Sequence, residues 1–587
     1  MKLVNKIKQK KWEIAFFLSI LLVGFFLRAY NFSSWLHFEL DQVYDITVVS
    51  KAVENGVQNL PLLGPTSGGG RSLRLGPAYY YLIYTSAKIF GNNPAGYAMV
   101  VLIFSLLSLP LFYFFCRKYF SKFTSLSLFA IYATSIYLVL YSRFAWSPNV
   151  LPFLMLAFSY ALLQSVSSKG KWPGRWFLLA AFLFAVITQI HYNALFITCP
   201  VIFFFLVIKK PHFSWKIWLG SAVVIFIVYS PMVFSDLKTG GTNIFFLKNK
   251  LENKAADESS NRSINIGNKF LNNLAYSAYE NFFILSGSDQ INGYLNRKIY
   301  FLDFSHPDRK NFAFDYNFWL RILALLIFLA EIGIIIRNFK KEKDVEKRNF
   351  LVLISLWLIF SFLYFFALIY ANYIMHPRFF LLASPLAVIL FGFVLEKFYL
   401  KNKIAYSIVA ILIMSVFVFN NAKRIMSVFH QLGTSASVNR DTEVEDIFPN
   451  TNRITIEQEQ MVVQIIKAGY EKNKFPAYLK IDRKYLPAFD YLVRKTGIPV
   501  YQDFGNASVY AQGNYFVIDR GQPDPASIGM RYGSYDLEKV LPLGTLSLFE
   551  FSPKANKITA QVKLDTESDF RYAWHLNYVL SWSDLLR

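Results

Sequence analysis

Long apolar runs separated by short polar loops recur from residue 12 to residue 421. Runs such as Trp12–Leu27, Met99–Phe115 and Phe350–Tyr370 are long enough, at about 1.5 Å per helical residue, to cross a hydrocarbon layer of about 30 Å. The pattern predicts helical spans near 12–29, 96–116, 123–141, 149–167, 175–191, 194–208, 216–235, 318–337, 350–370, 378–396 and 404–421, eleven in all. No small-residue cleavage site follows the first run, so it reads as a span and not as a removed leader. The expected fold class is a polytopic α-helical membrane protein.

Composition agrees: 54% of the residues are hydrophobic and 18% aromatic, against 17% charged, less charge than a soluble chain of this size carries. The net charge of +23 raises nucleic acid as a partner, but its distribution excludes that. Basic residues cluster in alternate short loops, at Lys2–Lys11, Arg117–Lys122, Lys169–Arg175, Lys209–Lys216, Arg337–Arg348 and Lys397–Lys403. Such clusters mark the cytoplasmic side of a multi-pass cell-membrane protein. They place the N-terminus inside. Cys116 and Cys199 are the only cysteines, and both fall in or beside spans, so no disulfide is expected.

Gly76–Gly91 decides the topology. As a span it would turn every later basic cluster outward; as a helix lying in the interface, with Tyr79, Tyr80, Tyr81 and Tyr84 at headgroup level, it keeps them inside. Residues 1–421 then form a membrane module with a first outer loop (30–95) and a long outer loop (236–317). Within the latter, Lys269–Leu285 reads as a second surface helix or an ordered loop helix. Residues 422–587, near neutral with 18 Lys/Arg and 19 Asp/Glu from residue 430 on, form an extracytoplasmic mixed α/β domain. Its helices are expected at Ile456–Ala468 and Tyr485–Thr496. Its strands are expected at Ala477–Ile481, Val500–Asp503, Asn514–Ile518, Leu546–Phe551 and Ile558–Leu564.

The candidate chemistry lies at the outer ends. Trp35–Asp45 carries Glu39, Asp41 and Asp45 just after the first span. Asp41 and Asp45 share one face of any helix there, and one well-placed carboxylate suffices to take a proton from a hydroxyl. Acids in a short loop also serve as caps or sit in solvent. Arg143, within Ser142–Asn149, is an anion ligand or a snorkelling cation, and Arg378, within Met375–Arg378, points to an anion at an outer helix start unless that start is simply capped by Pro377. Gln189–Asn193 sets His191 and Tyr192 at a helix end, where polar groups line cavities or find structural partners. The glycine-rich loop Gly64–Pro77 brings Arg71 and Arg74 but lacks the Lys-Ser/Thr of a phosphate-binding P-loop. A divalent ion held by Asp41, His191 and His376 is conceivable only if the fold brings them together; no metal-binding spacing is present.

Together these segments resemble the GT-C superfamily of membrane glycosyltransferases, and within it glycosyltransferase family 39, the protein O-mannosyltransferase and aminoarabinose-transferase type. The resemblance rests on Asp41-Gln-Val-Tyr-Asp45, on Gly76–Leu82, and on Ser142–Asn149, Gln189–Tyr192 and His376–Leu381, across roughly residues 12–421. It implies a polyprenyl-phosphate-linked sugar as donor and a hydroxyl acceptor on protein, glycan or lipid. Asp41 would be the general base, with Asp45 beside it. Arg143, Arg378, Arg71 and Arg74 would be donor-phosphate ligands. Substrate contacts would come from Glu39, Tyr80, Trp146, Asn149, His191, Tyr192 and His376. Relatives often carry Asp-Glu where this chain has Asp41-Gln42, which leaves any second acidic role to Asp45 or Glu39. Two rivals remain: a flippase or transporter of lipid-linked saccharide, expected to show paired halves, and a membrane scaffold, expected to leave Asp41 in bulk solvent.

Overall fold

The computed structural model describes residues 2–66, 73–168, 170–249, 266–288, 316–371, 375–401, 405–439, 454–481, 485–502, 504–505, 508–562 and 579–585. Arg71 lies outside them. The first ten helices are α1 (Lys2–Ala29), α2 (Leu40–Asn55), α3 (Ala78–Phe90), α4 (Pro94–Tyr119), α5 (Lys122–Thr134), α6 (Ile136–Tyr141), α7 (Leu151–Ser165), α8 (Pro173–Ile190), α9 (Tyr192–Lys209) and α10 (Trp215–Lys238). Among the described residues, eight helices are long and apolar enough to cross a membrane. They are joined by the shorter α7, by α5–α6, which breaks at Ser135, and by Ser384–Lys401, preceded by a 3-10 turn at Pro377–Phe380. The helix expected at 404–421 runs on to Gly433.

Acids scattered among the basic loops tie one end of the bundle together. Glu13 pairs with Arg117 at 2.9 Å and Lys122 at 2.7 Å. Glu346 accepts from Ser167 Oγ and Ser168 N. Glu396 accepts from the N–H and hydroxyl of Ser121, which itself caps α5. The basic clusters therefore share one end, and the carboxylate-bearing loops gather at the other.

At that second end, two buried arginines satisfy main-chain carbonyls that interrupted helices leave open. Where α5 breaks, Arg28 donates to Ala133 O at 2.7 Å and Tyr132 O at 3.3 Å, and also to Ser105 Oγ. Across the break, Ile136 N donates to Asn421 Oδ1 at 2.8 Å. Arg143 in turn donates to Leu27 O, Arg28 O and Tyr30 O as α1 ends. Away from water such groups have no other partner.

The segment expected as a surface helix is instead helix Ile266–Ser286, wholly buried from residue 275 to its end. Its polar positions, which suggested a wet face, meet other helices: Asn273 donates to Phe362 O, and Asn281 to Glu331. Helix α3 has 13 residues, about 20 Å, too short to span. Its start is docked by Gln189, whose side chain accepts from Ala78 N. A Cβ on Gly76 would lie 2.4 Å from that side chain, so any larger residue there must push Gln189 away from Ala78.

The C-terminal domain holds helices Ile456–Asn473 and Leu486–Arg494 and strands β1 (Ala477–Lys480), β2 (Val500–Tyr501), β3 (Asn514–Arg520), β4 (Tyr535–Leu543) and β5 (Leu546–Pro553). Strand order is β2-β1-β3-β5-β4, with β1 parallel to β2 and β3 and the rest antiparallel. Strand β4 had no sequence signal: it is an edge strand with several exposed positions and a register shift between Leu537 and Lys539. The expected strand at Ile558–Leu564 is not formed over 558–562, where only an isolated bridge joins Tyr510 to Ala560; 563–564 lie outside the described residues. Further on, the chain returns to the first loop. Leu62 N donates to Leu580 O, Trp582 N to Leu60 O, and the Trp582 indole to Tyr81 Oη at 2.9 Å.

Replacing Arg28 with Met should cost about 2–4 kcal/mol by orphaning buried carbonyls. A thermal-unfolding midpoint in detergent lowered by several degrees is the expected reading; an unchanged midpoint would show those carbonyls are satisfied otherwise.

Candidate active site

Helix α2 carries the acids. Its first turn is closed by a capping box in which Gln42 Oε1 accepts from Glu39 N at 3.0 Å, so Gln42 has a structural task that needs an amide or carboxyl oxygen. One turn apart on the same face stand Asp41 and Asp45. Asp45 is buried. Burial and the neighbouring Asp41 push its pKa well above the usual carboxylate range, while the Tyr80 hydroxyl, which donates to it, and Arg74 partly offset the rise. Asp41 keeps accessible surface yet is surrounded closely enough that burial still raises its pKa. Arg378 lowers it, Glu39 raises it, and a hydrogen bond from the Trp146 indole lowers it. A group both reachable and surrounded lies in an open recess. Of two close carboxyls, the more deeply buried keeps the proton and the other the charge, which assigns the charge to Asp41.

Trp146 joins the two halves of the recess. Its N–H holds Asp41, and its face carries the Arg378 guanidinium 5.1 Å from the ring centroid. Arg378 lies on the 3-10 turn opened by Pro377. It has no ion pair among the described residues, so its N–H groups remain available. His191 lies beside Arg378 and accepts from Asn193 N at Nδ1, 3.2 Å, which leaves Nε2 to carry the proton in the neutral ring. Arg74 donates to Gly64 O at 3.3 Å and faces Asp45 and Tyr80. His376 packs edge-on against Phe379, next to Arg378.

The structure thus brings together Asp41, Asp45, Arg74, Tyr80, Trp146, His191 and Arg378. Arg143 does not join them: it is fully buried, its guanidinium on the end of α1 and over Phe429. Asn149 also turns inward, donating to Phe144 O at 3.0 Å and lining a small cavity with Tyr141 and Ser142. Among the described residues no three His, Cys, Asp or Glu side chains are placed to hold a metal ion; Asp41, His191 and His376 form no such group. Tyr485 of the C-terminal domain, which hydrogen-bonds Glu39, had no local sequence signal.

The structure is a bundle of long apolar helices with a carboxylate–arginine recess at one end and a small α/β domain beside it. Residues 75–234 match the family model described as dolichyl-phosphate-mannose-protein mannosyltransferase. ArnT from Cupriavidus metallidurans in the apo state superposes with a TM-score of 0.51 at 9% identity, over 94% of this chain and 100% of that one. The same protein bound to undecaprenyl phosphate gives 0.49 at 11%, over 94% and 99%. The Archaeoglobus fulgidus oligosaccharyltransferase tethered with an acceptor peptide gives 0.44 at 13%, over 94% and 75%. No curated protein sequence matches the chain significantly.

Trp146→Phe removes the hydrogen bond to Asp41 but keeps a ring under Arg378. Because that bond stabilises the charged carboxylate, Asp41 should titrate about half a unit to one unit higher. Infrared titration of the carboxyl band, assigned by its loss in Asp41→Asn, reads this directly; an unmoved midpoint would remove the indole from the recess.

Proposed function

We propose that this protein is a membrane glycosyltransferase that moves a sugar, with inversion, from a polyprenyl-phosphate donor to a hydroxyl acceptor on the extracytoplasmic side of the cell membrane. The reading rests on one observation: an accessible carboxylate, Asp41, beside Trp146 and facing an arginine, Arg378, that has no ion pair among the described residues. The matched family model is named for a dolichyl-phosphate sugar donor, in line with a lipid-phosphate leaving group. The common end of the basic loops is the cytoplasmic one by charge, which puts the recess outside.

In the reaction the acceptor oxygen forms its bond to the anomeric carbon as the bond from that carbon to the phosphate oxygen breaks. The hydroxyl proton passes to Asp41, and the bonding pair leaves with the lipid phosphate. Phosphate is already a good leaving group, so it needs charge stabilisation more than protonation, and Arg378 supplies it. Arg74 holds Asp45 and Tyr80 in place on the other flank. His191, Tyr192 and His376 border the sugar. Asp45, protonated, donates no charge of its own and leaves Asp41 to act as the base. The scaffold reading expected Asp41 in bulk solvent; its packing between Trp146 and Arg378 argues for chemistry.

Burial and Glu39 raise the Asp41 pKa, so the rate should climb with pH until Asp41 is ionised, later than for a freely exposed aspartate. Asp41→Asn should retain binding of a polyprenyl-phosphate sugar but lose about 10²–10⁴-fold in transfer. Asp45→Asn, which mimics the protonated acid, should lose far less. Mass spectrometry of products from a panel of polyprenyl-phosphate sugars is the check, and full activity in Asp41→Asn would remove Asp41 from the role of base.

A further inference from the structure

Helix α10 packs on α8, and it holds the first loop at three points. Along its length, Val228 O accepts from Gln189 Nε2 at 2.8 Å, the same side chain that docks the start of α3. The helix then stops in a Schellman turn: Gly240 and Gly241 take positive φ, and Gly241 N reaches back to Asp236 O. That turn returns Asn243 to the helix end, where its N–H donates to Asp236 Oδ1 at 2.8 Å. The buried side chain of Asn243 grips the main chain of Arg74, accepting from Arg74 N at 2.8 Å and donating to Arg74 O at 3.2 Å.

The third hold comes from residues 580–584. Ser581 N and Oγ both donate to Asp584 Oδ2 at 2.7 Å, closing the one-turn helix Trp582–Leu585. Lys238 Nζ donates to Asp584 O at 2.7 Å, and Phe234 meets the Trp582 ring edge-on with centroids 6.1 Å apart. Seated on α10 in this way, the segment pairs antiparallel with Leu60–Leu62 through two hydrogen bonds that flank Pro61 and Ser581. Leu60–Leu62 leads into Gly64 and Pro65, which pair with Leu75. One extended run is thus paired first with the Trp582 segment and then with the Arg74 segment. The Trp582 indole also pins Tyr81, on α3, at 2.9 Å. Gln189, against which Gly76 lies, stands two residues before His191, whose ring neighbours Phe379 next to Arg378. The paired loop therefore walls the recess.

On the reading that the donor is a polyprenyl-phosphate sugar, we infer that Trp582 is a positioning residue of the donor site: it fixes the paired loop, and with it Arg74, before the donor arrives. A guanidinium recognises phosphate through a rigid fork of N–H groups, so its value depends on where its main chain is held. Here the main chain of Arg74 is set by Asn243 on one side and by the run braced by Trp582 on the other. Loosening the brace moves the cost of ordering that wall into donor binding. The loss falls on affinity, since Trp582 bonds to Tyr81 and Leu60 and not to the acids of α2.

Full-length protein in lipid nanodiscs is probed with a polyprenyl monophosphate, and hydrogen–deuterium exchange is read over residues 60–66 and 73–81. Trp582→Phe keeps a ring against Phe234 but drops the bond to Tyr81; Tyr81→Phe drops it from the other side. Both should speed exchange in the loop and weaken binding of the lipid phosphate about 3–10-fold. With a polyprenyl-phosphate sugar the loss should appear in KM, with kcat within about twofold of the wild type. Pro61 and Ser581 form the non-hydrogen-bonded pair of their bridge, where α-carbons lie about 4.5 Å apart, a span that a disulfide closes. Pro61→Cys and Ser581→Cys, added to Trp582→Phe and oxidised, should restore both protection and affinity, and reduction should remove them again. Unchanged affinity in Trp582→Phe and Tyr81→Phe overturns the inference, whether or not exchange rises. So does a crosslink that protects the loop without restoring affinity. A wild type that does not bind the polyprenyl monophosphate overturns the donor reading itself, whatever the exchange shows.

Discussion

Carbonyls left open where helices stop, in places water does not reach, constrain this molecule more than any other feature. Arg28 and Arg143 meet that constraint at the end of the bundle that carries the recess. Arg28 closes the end of α5 at its break, and Arg143 closes the end of α1. Because α1 runs directly into the strap before α2, the position of Asp41 depends on this pair of guanidiniums. Both are buried, and several carbonyl dipoles converge on each.

The recess depends on unequal treatment of two acids. Asp41 and Asp45 are separated by one helical turn, and like charges so close resist joint ionisation. Burial and the Tyr80 hydroxyl fall to Asp45; accessibility, the Trp146 indole and Arg378 fall to Asp41. Trp146 does two jobs with one side chain, a hydrogen bond through its edge and a cation–π contact through its face. Segments far apart in the chain are thereby kept in register around one carboxylate.

The spans and their shared basic end were legible because apolar runs and loop charge are local signals. Asp41, Asp45 and Arg378 were legible as types of residue in suspicious places. Arg143 looked like Arg378 in sequence, since nothing near it shows that its carbonyl partners lie at the end of α1. Gln42 read as a departure from an acidic pair, whereas its side chain closes a cap, a role visible only once Glu39 is seen as the residue before the helix. Helix Ile266–Ser286 read as a surface element because its Asn and Glu positions alternate with apolar ones; Phe362 and Glu331 supply the partners from other helices. Strand β4 lacks alternation because it is a sheet edge. The contact of Tyr485 with Glu39 joins residues hundreds of positions apart, and no local pattern encodes it.

Tyr81 sits next to Tyr80, the residue that holds Asp45, and its hydroxyl is taken by the indole of Trp582, 501 positions downstream. Leu60 and Leu62, from the same first loop, pair with Trp582 and Leu580. Ribosomes make chains from the N-terminus, so the first loop is exposed long before its last partners exist. The clamp on the first loop is therefore closed late in biogenesis, when the stretch around Trp582 has been made and folds back, and a nascent chain halted earlier displays its acids without that clamp.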